Sequence, residues 1–173
     1  MFRKITLGIA LCLLLTNSFA QTCKDSISET TPTERFNDQH DGTVLDSKTN
    51  LIWKRCSEGQ TWDGTTCAGS ASTYTWQGAL SATEALNKGE GFAGKTDWRV
   101  PNIKELGSIV ELKCYSPAIN LSVFPDTPSE NVWSSSPYAY YSYVAWNVNF
   151  DDGYDGPYAK DNSLQVRLVR SGQ

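Results

Sequence analysis

Histidine is nearly absent from this 173-residue chain, with His40 standing alone. Nucleophilic catalysis needs a base beside the nucleophile, and this one histidine lies among turn residues, where it reads as a solvated loop side chain. Material for a metal site is scarce too. No Cys-x-x-Cys pair occurs, and a single histidine cannot complete a zinc set with scattered cysteines. Glycosidase chemistry requires two facing carboxylates. Glu105 and Glu111 sit on one expected helix but point away from each other, and Glu105 has a capping task. The residues therefore give an enzyme less support than a binding or structural module. Positive charge is in deficit as well: 15 Lys and Arg face 19 Asp and Glu, net −4. That balance argues against nucleic acid or an anionic membrane surface as a partner.

Long apolar runs are missing past residue 20. The one run, Ile5 to Leu15, is too short to span a bilayer, follows Arg3 and Lys4, and precedes Ser18-Phe19-Ala20. Residues 1–20 thus read as a secretory signal peptide, cleaved after Ala20, since no lipobox precedes Cys23. The chain is expected to be exported, to the extracellular space, the cell surface or the periplasm, and not to be membrane-embedded. About 150 residues remain, the size of one domain. They hold four cysteines, an even count that reads as two disulfides with three connectivities open. The favoured pairs are Cys56–Cys67, closing a small loop, and Cys23–Cys114, tying the N-terminal stretch to the end of a helix.

What is present is organised around Asp97-Trp98-Arg99-Val100-Pro101-Asn102-Ile103-Lys104-Glu105-Leu106. Trp98 and Val100 read as a short buried strand. Pro101 holds Val100 extended, Asn102 caps a helix, and Glu105 completes a capping box. Ile103, Leu106, Ile109 and Val110 fall at helical spacing, so that helix is expected to continue through them with one face buried. Residues 21–34 are polar and read as a tail anchored by Cys23. Thr43–Asp46 and Leu51–Lys54 flank the turn Ser47–Asn50 as a β-hairpin. The carboxylates Asp38, Asp41 and Asp46 invite a calcium-loop reading, but Lys48 stands where a bidentate Glu is needed, so turn chemistry is preferred. Residues 57–73 form a stapled loop, and Thr75 caps a helix over Trp76 to Asn87 that stops at Lys88-Gly89. Three strands close the chain. One is Asn131–Ser136; the second alternates Val144, Trp146, Val148, Phe150; the third alternates Leu164, Val166, Leu168, with Arg167 and Arg170 on or near its polar face. Trp53, Trp98, Trp133 and Trp146 are assigned to core packing.

Taken in order, these motifs resemble a known family. They are Asp41-Gly42-Thr43-Val44 with Thr49-Asn50-Leu51-Ile52-Trp53, Trp76-Gln77-x-Ala79, Trp98-Arg99-Val100-Pro101-Asn102-x-x-Glu105-Leu106, Phe124-Pro125, Val132-Trp133-Ser134-Ser135-Ser136 and Val166-Arg167-Leu168-Val169-Arg170. The set is similar to the Lcl C-terminal domain, a bacterial domain named for the end of a collagen-like surface adhesin, over about residues 35–171. The resemblance implies a C-type lectin-like α+β fold: two helices packed on short antiparallel sheets, stapled by disulfides. It also implies kinship with formylglycine-generating enzymes, whose Arg-Leu-Pro-Thr corner is similar to Arg99-Val100-Pro101-Asn102. Two departures bear on function. No cysteine follows Cys114, so that oxidative chemistry is not carried over, and no Gly-x-y repeat is present, so the adhesin's oligomeric state is not carried over either. Trp98, Arg99, Pro101, Asn102, Glu105 and Trp133 are assigned structural roles.

The stretch with the composition of a recognition surface is Tyr138, Tyr140, Tyr141 and Tyr143, continued by Asn147, Asn149, Asp151, Asp152, Tyr154 and Asp155. Tyrosine gives contact area at low entropic cost, and Asp and Asn can bind hydroxyls, or a calcium ion that does so. The bland alternative is half-buried edge tyrosines and Asp-Gly turns. The expected function is non-enzymatic recognition of a glycan or surface protein without an obligatory cofactor, calcium being the one candidate. A structural module of an envelope or pilus-type assembly is the alternative.

Overall fold

In the computed structural model, which describes residues 20–172, the chain runs through thirteen short strands and two helices. The expected signal segment lies outside the described residues except for Ala20. In order the elements are β1 (Thr22–Cys23), a 3-10 turn (Thr33–Arg35), β2 (Phe36–Asp38), β3 (Thr43–Asp46), β4 (Leu51–Lys54), β5 (Thr61–Trp62), β6 (Cys67–Ala68), β7 (Thr73–Tyr74) and α1 (Trp76–Lys88). There follow α2 (Ile103–Gly107), β8 (Cys114–Tyr115), β9 (Asn131–Pro137), β10 (Val144–Asn149), β11 (Asp155–Ala159), β12 (Leu164–Gln165) and β13 (Val169–Ser171). The architecture is α+β. An antiparallel sheet in the order β13-β4-β3-β2 lies beside a five-stranded sheet in the order β11-β10-β9-β12-β7, in which only β9 and β12 run parallel. The ribbons β1-β8 and β5-β6 complete it. Both favoured disulfides are present, Cys23–Cys114 and Cys56–Cys67.

Alternation along β9 sends Val132 to one face and Trp133 to the other, so the five-stranded sheet serves two cores. On one side Val132, Val148 and Phe150 pack with Trp53, Leu106, Ile109, Ile119 and Phe124. On the other, Trp133 and Ala145 pack with Trp98, Val100, Leu164, Val166, Leu168 and Ala79 of α1. The Thr75 hydroxyl accepts from the Gly78 amide and starts α1 as its sequence predicts.

The Trp98 corner is built as its residues dictate. Asn102 Oδ1 accepts from the Glu105 amide at 2.9 Å, and Glu105 Oε2 accepts from the Asn102 amide at 2.8 Å. Arg99 grips both oxygens of Glu105 at 2.6 and 2.7 Å. Burial alone would push the Glu105 carboxyl up, but the Arg99 guanidinium and the Asn102 amide more than offset it and hold the carboxyl below its usual range. Trp98 does not sit in a strand. The only pairing here is a single bridge between Arg99 and Val169, while Asn87 takes the Trp98 backbone on both sides.

Four further expectations are corrected. The helix after Asn102 ends at Gly107, because the glycine is a poor helix former and the Ser108 hydroxyl donates to the Glu105 carbonyl. Ile109 and Val110 are buried all the same, each stabilising the fold by roughly 1.5–3 kcal/mol relative to exposure, and Glu111 is not on that helix. Residues 21–34 are not a tail held only at Cys23. Glu111 accepts from the amides of Thr30 and Thr31, and the Gln21 amide reaches the carbonyls of Pro117 and Ile119. The second closing strand does not alternate between buried and exposed positions, since the sheet is covered on both faces: Val144 and Val148 are buried on one side, and Ala145 and Asn147, the latter opposite Trp133, on the other.

The fourth correction concerns the chain's end. Residues 166–168 cross between the two sheets, and Arg167 is on no polar face, with 0% of its surface exposed. Its guanidinium donates to the carbonyls of Lys54 (2.9 Å) and Arg55 and to the hydroxyls of Ser57 (3.3 Å) and Thr127 (2.8 Å), over the Phe124 ring. Burial pushes its pKa down to about 9, so it remains a cation at neutral pH. Arg170 is buried against Asp97 at 2.7 Å.

Candidate functional site

β9 and β10 are joined by a loop of six residues whose backbone closes on itself. The Tyr138 amide donates to the Val144 carbonyl and the Val144 amide to the Tyr141 carbonyl, which leaves the side chains to fan outward. Tyr138 sits at the centre of the fan. Its ring lies 5.6 Å from Tyr140, 6.2 Å from Tyr141 in a stacked pose, and 5.2 Å from Trp146 edge-on; Tyr141 continues to Tyr143 at 5.7 Å. Tyr140 is 81% exposed, and Tyr141 and Tyr143 are exposed with it. Tyr138 and Trp146 are half-buried beneath, so Trp146 supports this surface as well as the sheet. Antiparallel pairing with β10 brings the end of β11 alongside. Lys160 donates from its Nζ to the Ser142 carbonyl and from its amide to the Tyr143 carbonyl, and its ammonium lies over the Trp76 ring.

The acidic half of the expected site lies elsewhere. Asp151, Asp152 and Tyr154 occupy the β10–β11 turn and Asp155 opens β11, at the opposite end of β10 from the tyrosines. At about 3.3 Å per residue the two tips stand roughly 20 Å apart. The turn consumes much of its own hydrogen bonding: Asp152 accepts from the Tyr154 amide, Asn149 from the Asp151 amide, and Asp151 from the Ser116 hydroxyl. Asn147, 4% exposed, gives its amide to the Gly156 carbonyl and so braces the hairpin. Among the described residues no group of three or more His, Cys, Asp or Glu comes together that could hold a metal ion. The earlier carboxylates are likewise engaged: Asp46 with Arg35, Asp38 with Arg55, and Asp41 with the amide and hydroxyl of Thr43.

Asp155 instead borders an open groove of about 600 Å³, floored by Ile103, Val110 and Val148 and rimmed by Lys48 and Lys104. Gly153 makes the groove's turn possible. Its φ is +81°, and a Cβ there would meet Val110 Cγ1 at 2.6 Å. Sequence reasoning missed both lysines, because the β3–β4 turn and α2 meet this hairpin only in three dimensions. It also left out Lys160 and Trp76, which no local pattern joins to the tyrosines.

The arginine-braced corner, the shared sheet and both hairpin tips fall within the span matched by one family profile, that of the Lcl C-terminal domain, over residues 42–170. The chain belongs to the Lcl C-terminal domain family. Membership points to a surface-associated domain, and the two disulfides agree with folding in an oxidising compartment. No curated protein matches the chain in sequence. Among the described residues of this Lcl C-terminal domain, no helix is long and apolar enough to cross a membrane. The β1 strand and its Cys23 precede the matched span, and they strap the Lcl C-terminal domain from outside.

Proposed function

We propose that this domain is an exported, non-enzymatic recognition module on a C-type lectin-like scaffold, binding a glycan or protein ligand at the cell surface or in the periplasm. The observation that supports it is the tyrosine tip. Three exposed phenol rings ride on a half-buried Tyr138–Trp146 pair, a contiguous aromatic surface of the kind that marks an interaction site. Flat rings stack on sugar faces or apolar side chains, and their hydroxyls remain free to hydrogen-bond. Catalysis has no comparable support, since His40 is solvated beside Asp38 and Glu105 and Glu111 are each committed to backbone amides.

The test is the triple substitution Tyr140→Ser, Tyr141→Ser, Tyr143→Ser in the oxidised mature protein, on a glycan array with calcium and again with a chelator. The rings are exposed, so stability should change by less than about 0.5 kcal/mol. Binding should vanish in the variant and resist the chelator in the parent. Binding that survives the triple change would place the site elsewhere. A blank array for the parent would favour the assembly-module reading, to be followed by partner capture from the envelope.

A further inference from the structure

We propose that the groove between the β3–β4 turn, α2 and the β10–β11 turn docks an extended acidic segment of a partner protein, in which aliphatic and acidic residues alternate. Its accessible apolar surface comes from Ile103, the edge of Val110 and Leu112. Leu112 is 59% exposed, a large aliphatic side chain left to water at the side of the groove. The trough continues past α2, because Thr49, Lys104 and Ser108 also line an adjoining cleft of about 310 Å³ with Leu51. Added to the first volume of about 600 Å³, that is room for several residues of a chain.

The polar groups of the lining select the occupant. The Thr30 hydroxyl donates to the Val110 carbonyl, the Thr49 hydroxyl to Asp46 and the Ser108 hydroxyl to the Glu105 carbonyl. Arg35 is taken up by Asp46. Lys48, Lys104 and Asp155 remain, all three exposed and none in an ion pair among the described residues. A sugar chain binds through many hydroxyl pairings, and here it would find each hydroxyl proton of the lining committed and an aliphatic floor beneath. Two free ammonium groups against one carboxylate, in a chain of net charge −4, favour an anionic partner. Successive side chains of an extended peptide point to opposite faces. Alternation therefore lets aliphatic residues meet the floor while the acids between them meet the lysines, and Asp155 accepts a peptide N–H. The groove lies at the opposite end of β10 from the tyrosines, so the site is independent of that tip.

Gly107 supplies a clean way to close the groove. It lines the cavity, and a Cβ there would meet nothing within 4 Å, so a large side chain can cover the floor without displacing the fold. The experiment is an amide-resolved NMR titration of the oxidised mature protein with acetyl-Asp-Leu-Asp-Leu-Asp-amide to about 5 mM, enough to saturate sub-millimolar affinity. Shifts should concentrate at Lys48, Lys104, Gly107, Leu112 and Gly153. Exchanging the peptide's Asp for Asn, or its Leu for Ser, should each weaken binding about tenfold. Lys48→Glu with Lys104→Glu should refuse the acidic peptide and accept acetyl-Lys-Leu-Lys-Leu-Lys-amide. Gly107→Phe should block both, and the urea midpoints of these variants should match the parent's. The tyrosine triple variant should titrate like the parent, which separates failure of this site from failure of the tip. Absence of shifts at the groove overturns the proposal, as does equal binding of the serine peptide or an unchanged titration in Gly107→Phe. Tighter binding of polygalacturonate than of the peptide would make the groove a polysaccharide site and overturn it too.

Discussion

Arg167 shows how much one side chain can organise when it is wholly buried. Its guanidinium ties the end of β4, Ser57 and Thr127 to the segment crossing between the sheets. Two of its acceptors are backbone carbonyls, which no neighbouring substitution can remove. Lysine has a single nitrogen and cannot reproduce the fork. Arg167→Lys and Arg167→Leu should each therefore cost about 3 kcal/mol, read as a lowered urea midpoint. A leucine variant as stable as the parent would show that the cation is dispensable. Glu111 works in the opposite sense. Burial pushes its carboxyl up, but the amides of Thr30, Lys113 and Thr31 and the Thr31 hydroxyl outweigh that and hold it below its ordinary 4.5. A carboxyl with a depressed folded pKa contributes stability that is present above the unfolded value and lost as pH falls through the folded one. The parent should lose stability as pH drops below about 4.5. Glu111→Gln should flatten that slope and cost about 2 kcal/mol at pH 7, as urea midpoints from pH 2.5 to 7 would reveal.

Among the elements, β11 is the exposed edge of the five-stranded sheet, and an unpaired edge invites a second copy. Asn149 and Tyr154, and Tyr143 and Lys160, are hydrogen-bonded pairs across β10 and β11. Counting inward by twos places Pro157, opposite Trp146, at a position whose nitrogen faces the open edge. A proline there removes the donor that an incoming strand would need. Pro157→Val should leave the hairpin intact and produce concentration-dependent self-association in sedimentation velocity. A variant that stays as monodisperse as the parent would mean that the edge is protected by something else.

At the scale of the whole molecule, two cores on one sheet are held in register by closures of different length. Cys23–Cys114 spans 91 residues and Cys56–Cys67 spans 11. Loop-closure entropy grows with the logarithm of length. Replacing the first pair with serine should thus cost about 4–5 kcal/mol and the second about 3, compared by thermal or urea unfolding of the two double variants. Equal losses would show that the Glu111 contacts hold the N-terminal strap without the disulfide. The separation of the hairpin tips matters at this scale as well. A ligand touching both the tyrosines and the acidic turn must extend roughly 20 Å, so a compact ligand engages one of them.

Wherever the physical cause lies within a few residues, the sequence by itself was enough. The Asn102–Glu105 capping box, the Thr75 cap, the Ser47–Asn50 hairpin, the β9 strand and the tyrosine loop all follow from short-range spacing, and parity with loop size favoured the two disulfides. Tertiary structure decided the rest. The strand-like run around Arg167 hid a buried cation because its partners come from residues 54–57 and 127. Periodicity through Ile109 and Val110 did not make a helix, because burial can be achieved from a turn as well as from a helical face. Residues 21–34 looked like a polar tail because their hydroxyls and amides are satisfied by Glu111, some 80 residues away. Of the ten residues expected to form one site, nine divided between two tips and Asn147 was buried between them, because a hairpin sends the ends of a strand apart, while Lys48, Lys104 and Lys160 joined their surfaces only when distant segments met.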